Sequence, residues 1–150
     1  MISAAARGHL EMVNALLKGR ADVNIKDNGG YWRNAHAIEA RYDDVAEVLI
    51  SQPQLDLSAR GKNGVTALMI YVWRDRKDAV EKLLARGADL TLSDNDGDTA
   101  LHGAAEVGNV EIIRMLLAKG ANPNARNKVG GFSDAASRNP PSRERSISVG

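Results

Sequence analysis

The segment "GDTALHGAAEVGNVEIIRMLLAKGANP", residues 97–123, contains a complete structural unit that the chain repeats. Its end, "LLAKGANP", closely matches "LLARGADL" at residues 83–90, 33 positions earlier. A shift of 33 positions aligns the whole of residues 64–90 with this segment, and it brings "GHLEMVNALLKGRADVN", from Gly8, into the same frame. Self-similarity at this period predicts a solenoid of stacked units rather than a single compact core.

Capping residues and apolar spacing in this segment predict two short helices. Thr99 is expected to cap a first helix running to about Val107, and Gly108 is expected to end it in the left-handed conformation. Asn109 is expected to cap a second helix, which Gly120 ends. The second helix carries an apolar stripe at helical spacing, formed by Ile112, Ile113, Leu116 and Leu117. Helices this short are unstable alone, so neighbouring units must stack.

The turn "DNDG" followed by these two helices resembles an ankyrin repeat. That motif runs D-x-x-G-x-T-P-L-H-x-A-A, then G-H-x-E-V-V-x-L-L, then G-A-D-V-N, and "DGDTALHGAAEVGNVEIIRMLLAKGANPNAR" is similar to it. The resemblance covers roughly residues 1–135 and implies an all-α ankyrin-repeat solenoid of helix-turn-helix units with β-hairpin finger loops. It also implies a concave groove, lined by the first helices, and non-catalytic binding of another protein through the fingers and the groove.

The copies of the unit divide the chain into five repeats and a tail. We expect a partial N-terminal repeat at 1–26, a divergent repeat at 27–60, regular repeats at 61–93 and 94–126, a partial C-terminal repeat at 127–138, and a disordered tail at 139–150. The second repeat departs furthest from the motif. Trp32, Arg33, Asn34 and Ala35 replace T-P-L-H, and an extra residue lies near Pro53. Two explanations are compatible with this departure from the motif. The second repeat has drifted in sequence because repeats tolerate change, or it contains a functional or strained site.

The composition argues against two classes of partner. The 150 residues are 43% hydrophobic, 26% charged and 4% aromatic, and their formal net charge is +1. This balance provides no broad basic surface for nucleic acid or an anionic membrane. No apolar run approaches the ~18 residues of a membrane span, and the start of the chain lacks a signal-peptide pattern. We therefore expect a cytoplasmic monomer, with no disulfide or thiolate metal site because cysteine is absent.

Three features could suggest a metal site or an enzyme, and none has the spacing that such a site needs. His9, His36 and His102 include no i, i+4 pair with a third zinc ligand. "DNDGDT", at 94–99, lacks the sixth-position glycine and twelfth-position glutamate of an EF-hand. "GKNG", at 61–64, is predicted to be a hairpin turn, because no phosphate-binding sequence follows it. We expect no catalytic residue, metal or cofactor.

Candidate partner-binding residues lie beside the finger glycines and late in the first helices, if the ankyrin register holds. They are Tyr31, Trp32 and Arg33 in the second repeat, Lys62, Asn63, Val65, Trp73 and Arg74 in the third, and Asp96, Asp98 and Glu106 in the fourth. Arg86, after a second helix, is placed on the same face. Since Trp, Tyr and Arg dominate binding hot spots, the aromatic and arginine members are expected to form one patch. The alternative is that Trp32 and Trp73 pack between repeats; Tyr71 and Val72 are predicted to be core.

Protein binding is the predicted function, and two other classes stay open. One is a fragment of a larger ankyrin protein, such as a multi-domain scaffold or a bacterial effector, whose activity lies elsewhere. The other is an enzyme or a small-ligand binder, which no motif in the sequence predicts.

Overall fold

The computed structural model describes residues 9–30, 37 and 42–128. In these ranges the chain forms six α-helices joined by tight turns, and an antiparallel β-bridge pairs Ser93 with Thr99. The helices are α1 (Leu10–Lys18), α2 (Asp43–Ile50), α3 (Ala67–Trp73), α4 (Lys77–Ala85), α5 (Ala100–Val107) and α6 (Val110–Ala118). A single turn of 3-10 helix, Lys62–Gly64, precedes α3. None of the described helices is long and apolar enough to cross a bilayer.

Equivalent helices pack against each other from one repeat to the next. The first helices α3 and α5 lie side by side, and the second helices α1, α2, α4 and α6 form a parallel row in that order. Within a repeat, α3 packs on α4 and α5 packs on α6. The core lies between the two rows, where Leu49, Leu83 and Leu116 occupy the same position of successive repeats and are at most 1% exposed. The predicted all-α solenoid is confirmed.

The residues predicted to cap the helices of the fourth repeat lie at the helix ends in the structure. Helix α5 begins after Thr99, whose backbone N–H donates to Nδ1 of His102 at 3.1 Å. Gly108 ends this helix with φ 81°. The side-chain oxygen of Asn109 accepts hydrogen bonds from the first-turn N–H groups of Glu111 and Ile112, at 2.9 and 3.1 Å. These local contacts satisfy donors that the helix itself leaves unpaired.

The same turn follows every second helix in the described ranges. In each case a side-chain oxygen accepts the backbone N–H two residues further along, at 2.8 to 2.9 Å; the acceptors are Asp22, Asp56, Asp89 and Asn122. At Asp89 the Thr91 hydroxyl adds a second hydrogen bond, and the two donors lower the pKa of this carboxyl. These Asx turns redirect the chain toward the next finger.

The extra residue of the second repeat changes how helix α2 ends. After α4 and α6, Gly87 and Gly120 take positive φ angles of 84° and 96°, and after α1 Arg20 takes 59°. Pro53 stands at the corresponding place after α2. Because the proline ring fixes φ near −65°, this helix cannot end in the same left-handed conformation.

Arg86 compensates for this altered ending. Its guanidinium donates to the backbone carbonyl oxygens of Ile50, of Gln52 at 2.9 Å and of Pro53 at 3.4 Å. A cation is favourable here, since the last carbonyls of a helix carry partial negative charge. The prediction that Arg86 lies on the groove is therefore wrong: its side chain is used to join the third repeat to the second.

Replacement of Arg86 with alanine should lower the free energy of unfolding by about 1–2 kcal/mol. A hydrogen bond to a charged group contributes about 1.5–3 kcal/mol, and water would replace part of this loss at a half-buried site. Urea unfolding measures the change, and amide exchange should accelerate at Leu55, whose N–H donates to the carbonyl of Gln52 at 3.1 Å. Arg74→Ala, at an exposed arginine, is the control and should change stability by less than about 0.5 kcal/mol. Equal losses in the two variants would contradict this role of Arg86.

Candidate functional site

Hydrogen bonds make each finger a rigid turn. Two fingers are described in full, residues 61–65 and 94–98. In the second of these, the backbone N–H of Asp94 donates to the carbonyl of Asp98 at 2.9 Å. The Asp94 carboxylate also accepts the N–H groups of Asp96 and Asp98, both at 2.9 Å. The backbone of this finger is therefore fixed before any partner arrives.

Successive fingers are also joined to each other through their backbones. The N–H of Asn95 donates to the carbonyl of Asn63 at 2.8 Å, and the N–H of Lys128 donates to the carbonyl of Asp96 at 2.8 Å. Gly64 packs so closely on the next finger that an added Cβ would lie 2.7 Å from Oδ1 of Asn95. The tips consequently form a row whose spacing is set by backbone atoms.

The candidate side chains differ in how far they are open to solvent. Lys62, Asn63, Asp96 and Arg74 are exposed, and Val65, Trp73 and Glu106 are half-buried. Tyr31, Trp32 and Arg33 lie outside the described residues, as do most of the predicted C-terminal repeat and the whole of the predicted tail. The open part of the candidate surface therefore consists of the two finger tips and the end of helix α3.

Asp98 does not belong to this surface. Its side chain is 2% exposed, and its Oδ1 accepts a hydrogen bond from Nδ2 of Asn127 at 2.8 Å. The prediction of Asp98 as a residue open to a partner is therefore wrong, because this carboxylate joins one finger to the start of the next. The sequence contained a signal of this: the equivalent residue of the third repeat is the apolar Val65.

Trp73 lies between two repeats. Its indole is half-buried against helix α5, where a Cβ added to Gly103 would lie 2.4 Å from Nε1 and 2.7 Å from Cδ1. This contact supports the alternative that Trp73 packs between repeats.

Tyr71 and Val72 are core residues, as predicted, with exposures of 2% and 0%. The Tyr71 hydroxyl donates to the carbonyl of Ala46 at 3.3 Å. Burial of the ring raises the pKa of Tyr71 well above its usual value, and the nearby charge of Glu47 raises it further.

Ion pairs along the second helices are a feature that the sequence analysis missed. Arg76 pairs with Asp43, Lys82 with Glu47, and Lys77 with Glu111, each joining neighbouring repeats. The signal was available as opposite charges about one period apart. The hydrogen bond from Lys77, together with its charge, lowers the pKa of Glu111. Exposed pairs of this kind contribute little stability individually, about 0–1 kcal/mol.

The histidine and acidic side chains that the structure describes show no arrangement for a metal. Within the part of the chain that the structure describes, no group of three His, Asp or Glu side chains could hold an ion. His102 is buried and accepts the N–H of Thr99, so its observed contacts are structural.

Comparisons with known proteins agree with this architecture. A family model described as "Ankyrin repeats (3 copies)" matches residues 35–127, and one described as "Ankyrin repeat" matches residues 1–28. Neurogenic locus notch homolog protein 1 of Homo sapiens is 35% identical over 124 residues, which are 83% of this chain and 5% of that protein. The Danio rerio protein of the same name shows the same identity and coverage.

A further relative, neurogenic locus notch homolog protein 2 of Homo sapiens, is 35% identical over 119 residues. That match covers 79% of this chain and 5% of the relative, so the chain spans only a small part of the proteins that it matches. The 33-residue period, the two rows of helices and the matching family models lead to one assignment. The chain belongs to the ankyrin repeat family.

Proposed function

We propose that this chain is a non-catalytic module that binds a partner protein through its finger tips and its first-helix face. The observation that carries the proposal is the row of fingers, in which Lys62, Asn63 and Asp96 are exposed on a hydrogen-bonded backbone. A surface that is already ordered loses little conformational entropy on binding, which favours affinity. Ankyrin repeats are generally protein–protein interaction modules, and this supports the same function.

The charges on this surface suggest how a partner would be oriented. The third repeat presents Lys62 and Arg74, and the fourth presents Asp96 and the half-buried Glu106. A complementary partner would place acidic groups against the third repeat and basic groups against the fourth. An interface of standard size would bury about 800 Å² on this side.

Charge reversal at the fingers tests the proposal. The double variant Lys62→Glu/Asp96→Lys keeps the net charge but exchanges the signs at the two tips. Its affinity for a captured partner should fall at least about tenfold, since opposed like charges cost several kcal/mol. Both side chains are exposed, so the thermal unfolding midpoint should stay unchanged.

Glu11→Lys/Arg114→Glu is the matched control, because it reverses an exposed acid and an exposed base on second helices. Affinity capture followed by mass spectrometry identifies the partner, and titration of the purified pair measures its affinity. Binding that survives the finger variant and is lost in the control would place the interface on the second-helix row and overturn the proposal.

A second candidate follows from the short coverage of the relatives. In the notch homologues the matched segment is 5% of the protein. This chain would then act as the interaction segment of a longer scaffold or effector whose activity lies elsewhere. Determining the full open reading frame and assaying the complete product would decide between a free-standing module and such a segment.

A further inference from the structure

A cavity of about 400 Å³ lies between the second helices α2 and α4 and is open to solvent. It is separate from the finger tips. Its apolar wall includes Ala46 and Ile50 from α2, Ala79 from α4, and the buried ring of Tyr71. Charged side chains of the same two helices surround the opening. A volume in the range of about 300–1,000 Å³ is typical of sites for small molecules.

A small residue lines the cavity at a position where the neighbouring repeats have larger ones. Val45 and Ile112 occupy this position in helices α2 and α6, where both are fully buried. In α4 the equivalent residue is Ala79, whose side chain is two or three carbons shorter. At this position the third repeat therefore carries a smaller side chain than its neighbours do.

The opening carries more negative than positive charge. Arg76, immediately before α4, and Lys82, within α4, form ion pairs across the cavity with the α2 residues Asp43 and Glu47. Two further carboxylates line the same opening, Asp78 and Glu81, and neither forms an ion pair within the described ranges.

Asp78 and Glu81 are three positions apart on α4, so they lie on one side of the helix. Lys77, adjacent to Asp78, has its ammonium bonded to Glu111, and its charge also attracts both acids. Lys82, adjacent to Glu81, is paired with Glu47. The cavity thus combines an apolar wall with two exposed carboxylates that form no salt bridge within the described ranges and attract cations.

From this geometry we propose that the cavity binds a small organic cation, an ammonium or guanidinium group on a compact apolar body. The body would fill the space beside Ala79 and Tyr71, which removes apolar surface from water. The cation would lie beside Asp78 and Glu81 at the opening, where it keeps part of its hydration. This site is independent of the finger surface, so partner binding and cation binding are separable properties of the chain.

Phenethylamine is a suitable probe, and 2-phenylethanol is its neutral counterpart of nearly the same shape. Each compound is titrated into the whole chain while NMR records the amide chemical shifts. The shift changes give the affinity of the compound and the location of its binding site. Phenethylamine should give saturable shifts in α2 and α4. The alcohol should bind at least about tenfold more weakly, the ratio that corresponds to about 1.4 kcal/mol of electrostatic attraction.

Two variants test the two halves of the site. Ala79→Ile places in α4 the residue that α6 has at the equivalent position, Ile112. This variant should show no chemical-shift changes with phenethylamine, and its spectrum should remain that of a folded chain. Asp78→Asn/Glu81→Gln removes both charges without changing shape and should weaken phenethylamine binding about tenfold. Glu11→Gln, outside the cavity, is the control and should bind like the original chain.

Three results would overturn the proposal. They are an absence of saturable shifts in α2 and α4, equal binding of the amine and the alcohol, and undiminished binding by Ala79→Ile. If the isoleucine variant fails to fold, the Asp78→Asn/Glu81→Gln variant still decides, since unchanged affinity there excludes a cation site.

Discussion

Gly103→Ala is expected to destabilise the protein by about 1–3 kcal/mol, the usual cost of overpacking a well-filled interior. The new methyl group would lie 2.4 Å from Nε1 and 2.7 Å from Cδ1 of Trp73, so the indole or helix α5 must move. This loss opposes the intrinsic preference of helices for alanine over glycine, which is about 1 kcal/mol in the other direction. Urea unfolding followed by far-ultraviolet circular dichroism measures the net effect.

The Trp73→Ala background provides the decisive control. Without the indole, alanine at position 103 has room, and helix propensity should make Gly103→Ala neutral or stabilising by up to about 1 kcal/mol. The difference between the effects of Gly103→Ala in the two backgrounds is the coupling energy between these residues. An equal loss in both backgrounds would mean that the tryptophan is not the group that alanine meets.

Leu116→Ala should cause the largest loss of stability, about 2–5 kcal/mol, because truncation leaves a cavity in the core. Leu116 is 0% exposed, whereas its neighbour Leu117 is 40% exposed. Leu117→Ala is therefore the matched control, with the same chemical change in the next residue of α6. It should cost about 1 kcal/mol or less, since a half-exposed leucine gains only part of the 1.5–3 kcal/mol of full burial.

Urea unfolding of the two variants under identical conditions makes this comparison. The apolar pattern of the sequence groups both leucines in one stripe, so pattern alone predicts similar losses. A difference of several kcal/mol would support the burial seen in the structure. Equal losses would show that Leu117 is packed as deeply as Leu116.

Local signals made most of the fold predictable. Thr99, Gly108 and Asn109 act on backbone groups within a few residues of themselves, so their effect can be read from a short segment. The 33-residue period then supplies the stacking direction without any further information. For this reason the helices of the fourth repeat and the solenoid were predicted correctly.

The details of the site depend on the neighbouring repeat, and the sequence motif does not contain that information. The motif gives the position of Asp98 in its finger. The burial of Asp98 depends on Asn127, which lies in the next finger. Arg86 follows a regular helix, and the irregular end of α2 determines its contacts. The space beside Ala79 is evident only when its equivalents in other repeats are compared.

The predicted aromatic patch remains a prediction in part. Trp73 is half-buried against Gly103, which leaves a smaller surface for a partner than the sequence suggested. Its proposed companions Tyr31, Trp32 and Arg33 lie outside the described residues. Lys62, Asn63, Arg74 and Asp96 are the exposed candidates on which binding experiments should begin.

Peptide groups couple Asn63 to Asn95 and Asp96 to Lys128, so the exposed side chains at the tips can be exchanged without removing these two hydrogen bonds. Partner recognition by the row of fingers would then depend on two separable properties. One is the constant distance between adjacent tips, and the other is the variable set of side chains on them. Libraries that randomise only the exposed tip positions should accordingly yield new specificities on an unaltered scaffold. Insertions within a tip should instead change the distance between adjacent tips and weaken the binding of every partner.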